Sequence, residues 1–137
     1  MKQKLNSILL IDDDKATNFI HTHLIKKTLV VDTVISKLNG EEAIAYLTTK
    51  KDGEYPQPEL IFLDINMPVM NGWEFIEEYK KSNFSKKSVL IIMLTTSLNP
   101  VERERAEKIE IISDFATKPL TAEYLQDIVK SYFKKNR

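Results

Sequence analysis

Five short apolar runs recur at intervals of roughly 25 residues, with helical patterns between them and after the last. The runs are Ile8-Leu9-Leu10-Ile11, Val30-Val31-Asp32-Thr33-Val34-Ile35, Leu60-Ile61-Phe62-Leu63, Val89-Leu90-Ile91-Ile92-Met93-Leu94, and a fifth opened by Ile111-Ile112 that ends near Phe115-Ala116-Thr117. Near-continuous apolar runs suit strands buried on both faces, and strand–helix alternation implies parallel pairing, right-handed crossovers and helices on both sides of one sheet. The expected class is therefore α/β, a doubly wound parallel sheet of five strands with five helices. The 137 residues suffice for one domain with an ordinary core, 1–137 with its folded part at about 7–133, and no interdomain linker or repeat is visible.

The helices follow from periodicity and caps. Asp13 or Asp14 can cap a helix whose Ala16, Phe19, Ile20, His23 and Leu24 share one face. Asn39-Gly40 opens a second with Ala43, Ile44 and Leu47 inward, and Gly72 a third with Phe75, Ile76 and Tyr79 inward. Asn99-Pro100 begins a fourth, an N-cap before the helical position that favours proline. That helix is thinly apolar, with Val101, Ala106 and Ile109 as its core candidates. Thr121 caps the last, which buries Leu125, Ile128, Val129 and Tyr132 or Phe133. The stretch 50–58, with a glycine and two prolines, reads as an exposed loop, and Ser82 to Ser88 as a polar connection.

Composition excludes several functions. Twenty basic and twenty acidic side chains cancel, so no global field favours nucleic acid or anionic lipid. Lys134, Lys135 and Arg137 make only a small basic tail, expected to be solvated. Cysteine is absent, which rules out disulfides, thiolate metal sites and a cysteine nucleophile. No signal peptide or membrane span fits, so a cytoplasmic location is expected.

A parallel sheet gathers the carboxyl ends of its strands on one edge, where open α/β sheets bind ligands. Here those ends carry Asp12-Asp13-Asp14, then Asp64, then Thr95-Thr96, then Lys118. Each has an ordinary reading: a triple Asp as a helix cap, Asp64 as a loop cap, Thr95 as a turn residue, Lys118-Pro119 as surface punctuation. Their convergence is what chance supplies poorly. Clustered aspartates would repel and raise one another's pKa, whereas hard oxygen ligands in this number suit Mg²⁺. A carboxylate beside such an ion, a hydroxyl and an ammonium can act as nucleophile toward phosphorus and form an aspartyl phosphate. A phosphohydrolase with an aspartate nucleophile would need an acid two residues after Asp64 to protonate the leaving group. Asn66 stands there and cannot serve.

The motifs Ile8-Leu9-Leu10-Ile11-Asp12-Asp13, Leu63-Asp64-Ile65-Asn66-Met67-Pro68 through Gly72, Leu94-Thr95-Thr96 and Lys118-Pro119 resemble, in order, those of the response-regulator receiver domains, including the single-domain chemotaxis regulator. The resemblance implies a flavodoxin-like strand order 2-1-3-4-5. It makes Asp64 the acceptor of a phosphoryl group from a histidine kinase or phosphotransfer protein. It further implies Asp13, Asp64 and the Asn66 carbonyl as Mg²⁺ ligands, Asp12 acting through water, Thr95 as switch hydroxyl, Lys118 as phosphate partner, and a cis Lys118-Pro119 bond. Phe115 matches the aromatic switch position, with a half-buried strand residue as its ordinary reading. Lacking a hydroxyl, it could meet a partner only through apolar contact.

Such a domain is not an enzyme beyond its own phosphorylation and dephosphorylation. Its output would pass through another protein at the face of the fourth helix, fifth strand and fifth helix, as a monomer or a phosphorylation-dependent dimer. A receiver that binds partners without phosphorylation is the alternative. Glu110-Ile111-Ile112-Ser113 replaces the family's usual Gly-containing link and is expected to alter how the fourth helix packs. His21 and His23 point about 200° apart on the first helix and cannot share a metal. His23 is expected at the core edge, His21 in solvent, and Trp73 as surface packing near the site.

Overall fold

The computed structural model describes residues 4–82 and 89–135. Its elements alternate throughout: β1(Leu5–Ile11), α1(Lys15–Thr28), β2(Val31–Lys37), α2(Gly40–Leu47), β3(Leu60–Leu63), α3(Gly72–Lys81), β4(Leu90–Thr95), α4(Pro100–Glu107), β5(Ile112–Thr117) and α5(Ala122–Lys135). The five strands form one parallel sheet in the order β2-β1-β3-β4-β5, the flavodoxin-like order. Most of the expected 82–88 connection lies outside the described residues.

Alternation along the strands divides the interior into two cores. Leu9, Ile11, Ile61, Leu63, Ile91, Met93 and Phe115 face α2, α3 and α4. Ile8, Leu10, Leu60, Phe62, Ile92 and Leu94 face α1 and α5, where Ile25, Leu125, Val129 and Tyr132 close the layer. All four residues of β3 are buried, as the central strand of a doubly wound sheet requires.

The caps are mostly those the residues announce. Asp14 accepts from the Ala16 N–H, Asn39 from Glu42 and Asn99 from Val101, and Thr121 Oγ1 accepts from the Tyr124 N–H at 3.1 Å. Asn71 adds an unforeseen capping box, its side chain and that of Glu74 each accepting the other's backbone N–H.

Several expectations are corrected. The inward face of α1 is Asn18, His21 and Ile25, while Phe19 and Ile20 are 75% and 59% exposed and Leu24 is half-buried. His21 is buried and His23 exposed, the reverse of the expected pair. The physical reason is tertiary: the two polar side chains facing inward hydrogen-bond to backbone groups of loops beside the helix, the Asp12 carbonyl and the Leu120 N–H. β2 begins at Val31 and runs two residues past Ile35. Val101 is exposed, leaving Ala106 as the buried residue of α4. Beyond that helix Ile109 and Ile111 pack against the core, so the Glu110–Ser113 link supplies apolar contact that α4 lacks. The loop after α2 is not featureless. Lys51 and Glu54 bridge antiparallel about an Asp52-Gly53 turn with φ of 52° and 82°, and Pro58 is buried.

Candidate functional site

Strand ends bring the site together. β1 and β3 are neighbours, with Ile11 opposite Leu63, so Asp12 and Asp64 leave the sheet side by side. The Asp64 N–H donates to the Ile11 carbonyl at 2.9 Å, extending the ladder by one step and fixing the carboxylate at the edge. One oxygen each from Asp12, Asp13 and Asp64 lies within 4.8 Å of the others, Asp12 and Asp64 being buried and Asp13 exposed. Asp14 takes no part in this cluster; it is an exposed cap that also accepts from Thr17 Oγ1 at 2.8 Å.

Lys118 enters from the end of β5. Its Nζ donates to Asp12 Oδ2 at 2.5 Å and lies 3.4 Å from Asp64 Oδ1. The bond to Pro119 is cis, as the resemblance implies. Burial raises the pKa of Asp64, opposed mainly by the Lys118 charge. Burial alone would lower the Lys118 ammonium, but its hydrogen bond to Asp12 and the charge of Asp64 carry it upward. Thr95 is buried; its Oγ1 accepts from the Ser97 N–H at 3.1 Å and its carbonyl from the Lys118 N–H at 2.8 Å. β4 and β5 thus meet at the same edge.

The turn after Asp64 is tightly wound. The Ile65 N–H donates back to Asp64 Oδ1, and the Gly72 N–H to the Ile65 carbonyl. A Cβ on Gly72 would fall 2.4 Å from the Asp64 carbonyl oxygen, so only glycine permits this approach. Between them Val69 has φ of 68° with the Met70 N–H on the Pro68 carbonyl, a γ-turn strained by about 1–3 kcal/mol for a β-branched residue. Asn66 is exposed on this loop, two residues beyond Asp64.

Phe115 is buried and opposite Met93 in the ladder, two residues before Thr95, so Phe115 and Thr95 share a sheet face. The Arg103 guanidinium lies 5.0 Å from the Phe115 ring centroid, and that of Arg105 lies 4.2 Å from the Trp73 ring. Trp73 is therefore half-buried between α3 and α4. What hydropathy reading missed is the pair Asn18 and His21. Asn18 Nδ2 donates to the Asp12 carbonyl, and the Leu120 N–H donates to His21 Nε2. The signal available was their spacing with Ile25, three and then four residues apart.

A five-stranded flavodoxin-like sheet with paired acids and a lysine at its carboxyl edge defines a small class of proteins, and comparison with known sequences agrees. Residues 8–130 match the family described as the response regulator receiver domain, and the chain belongs to that family. It is 36% identical over 95 residues to the response regulator Rcp1 of Synechocystis, covering 67% of this chain and 63% of that protein. Sensor histidine kinase CheAY of Helicobacter pylori is 31% identical over 127 residues, covering 93% of this chain and 15% of that one. The chain thus spans less than two thirds of the length of either relative. A two-component response regulator from Cytophaga hutchinsonii has a TM-score of 0.84 at 34% identity, covering 96% of this chain and 99% of that one. Receiver domains are signalling domains of two-component systems that interact with histidine kinases or phosphotransfer proteins. Among the described residues no helix is long and apolar enough to cross a membrane.

Proposed function

We propose that this chain acts as the receiver of a response regulator, accepts a phosphoryl group on Asp64 and in response alters a partner-binding surface. The observation that carries the reading is the Lys118 ammonium reaching both Asp12 and Asp64 beside a third carboxylate.

The donor set fits Mg²⁺: oxygen-only, anionic and partly open to solvent through Asp13. Asp12, Asp13 and Asp64, with the Asn66 carbonyl, would hold the ion, which when bound supplies charge neutralisation for the carboxylates and the phosphoryl oxygens. The protein's own groups do the rest. An Asp64 carboxylate oxygen forms the new bond to phosphorus while the bond to the donor's nitrogen or oxygen breaks, its electron pair leaving with the donor. Lys118 exchanges part of its contact with Asp12 for a phosphoryl oxygen, and the Thr95 hydroxyl donates to another. Drawing Thr95 toward the site opens space on the face it shares with Phe115. Phe115, already buried on that face, repacks into the space, and α4, with Ala106 as its buried side chain, shifts with it.

Incubation with Mg²⁺ and acetyl phosphate, read by intact mass, tests this. Wild type should gain one phosphoryl group and Asp64→Asn none; no gain in wild type would sink the reading in favour of a phosphorylation-independent receiver. Burial raises the folded-state pKa of Asp64, so its ionisation removes stability as pH rises through that value. Asp64→Asn should therefore be more stable than wild type at neutral pH, by about 1 kcal/mol in urea denaturation.

A further inference from the structure

Beyond the acid cluster, the underside of α1 carries two buried polar side chains. Asn18 and His21 are each 4% exposed, three residues apart on the face turned toward the sheet. Neither serves the helix that carries it. Asn18 Nδ2 donates at 2.8 Å to the carbonyl of Asp12, the residue that pairs with Lys118. His21 Nε2 accepts at 3.2 Å from the N–H of Leu120, two residues after Lys118. Accepting at Nε2 places the neutral ring's proton on Nδ1, and burial lowers the pKa of His21, which keeps the ring able to accept. Leu120 is itself buried beside Ile25 and Leu125, so its N–H has no access to bulk water as a substitute partner. Two loops whose charged tips meet as an ion pair are thus joined from below by one helix.

We propose that Asn18 and His21 are positioning residues, a two-point clamp on backbone that holds the Asp12 and Lys118 loops at the spacing where one ammonium bridges Asp12 and Asp64. The clamp rests on the phosphoacceptor reading only in what Lys118 is positioned for. Apolar side chains would fill the same volume and satisfy neither loop; the loss would appear at Lys118 and Leu120, remote in sequence from the substitution.

The test compares full-length wild type with His21→Leu, His21→Gln and Asn18→Leu. Acylation of Lys118 by an amine-specific reagent is followed by peptide mass spectrometry, with Leu120 and Ile61 amide exchange measured alongside. In His21→Leu, Lys118 labelling and Leu120 exchange should each accelerate about tenfold, the size expected for one buried hydrogen bond, with Ile61 unchanged. His21→Gln, whose side-chain carbonyl accepts, should restore both. Asn18→Leu should speed Lys118 labelling similarly, and it decides the matter should His21→Leu fail to fold. In the acetyl phosphate assay His21→Leu should lose about tenfold in rate while calorimetric Mg²⁺ affinity stays within about twofold. Wild-type labelling and exchange in the leucine variants, or acceleration that includes Ile61, overturns the clamp. Labelling and exchange need no phosphorylation, so a wild type that gains no mass counts against the phosphoacceptor reading alone.

Discussion

Two helices flank the site, and they are fastened in opposite ways. α1 buries an asparagine and a histidine that hydrogen-bond to the backbone of two site loops, and adds Ile25 to the core. α4 buries Ala106 and lays Arg103 over Phe115 and Arg105 over Trp73. Buried hydrogen bonds are directional and costly to leave unmade, whereas a cation above a ring tolerates sliding and keeps its charge in water. The contrast separates a helix that defines distances from one that can report a change in them. Under the proposed function, the side of Asp12 and Lys118 is the fixed jaw and the side of Phe115 the movable one.

The largest effect by which this contrast can be broken is in native-state hydrogen exchange. Central amides of α4 should exchange at least about a hundredfold faster than those of α1; equal protection would remove the distinction. Next, Asn18→Leu should cost about 1 kcal/mol in urea denaturation, the orphaned Asp12 carbonyl being partly offset by removal of the buried, unpartnered Asn18 Oδ1. Val101→Ala on α4, where the side chain is 65% exposed, should stay within about 0.5 kcal/mol. On the same helix, Arg103→Ala and Arg105→Ala should each cost about 0.5 kcal/mol. Only Arg105→Ala should shift Trp73 emission directly, since that guanidinium lies on the indole.

The smallest effect concerns pH. The folded pKa of His21 lies below its ordinary 6.5, chiefly through burial, so the unfolded chain binds the proton first. The stability His21 contributes is complete above 6.5 and declines as pH falls below it. His21→Gln should flatten that slope in urea midpoints taken between pH 7 and 5.5, a slope α4 substitutions should leave alone.

The architecture and the chemistry-bearing strand ends were legible because both follow from a repeating rule. Alternating apolar runs force a parallel sheet, and a parallel sheet gathers Asp12, Asp64, Thr95 and Lys118 on one edge whatever the details. The face of α1 was not legible, for a reason visible in Phe19 and Ile20. Periodicity assumes that apolar side chains turn inward, and here two such residues face out so that Asn18 and His21 can reach backbone groups. One of those groups, the Leu120 N–H, is 99 residues away in sequence, and no local pattern announces it. The same limit applies to Lys118, whose closer partner is Asp12 rather than Asp64. That preference depends on how a loop descends from β5, not on spacing. The Lys51–Glu54 hairpin is a different case: Asp52-Gly53 is a turn dipeptide, and its signal was present but unread.

That hairpin has a practical consequence. Gly53, at φ 82°, has nothing within 4 Å of where a Cβ would stand, and its tip projects from the loop leading into β3, far along the strands from the acid edge. A glycine at an open turn apex is a natural handle for the experimenter. A peptide tag or a circular-permutation break can be introduced beside it, keeping Gly53 itself, since an L side chain at that φ would be strained. Such a change would touch neither jaw of the site.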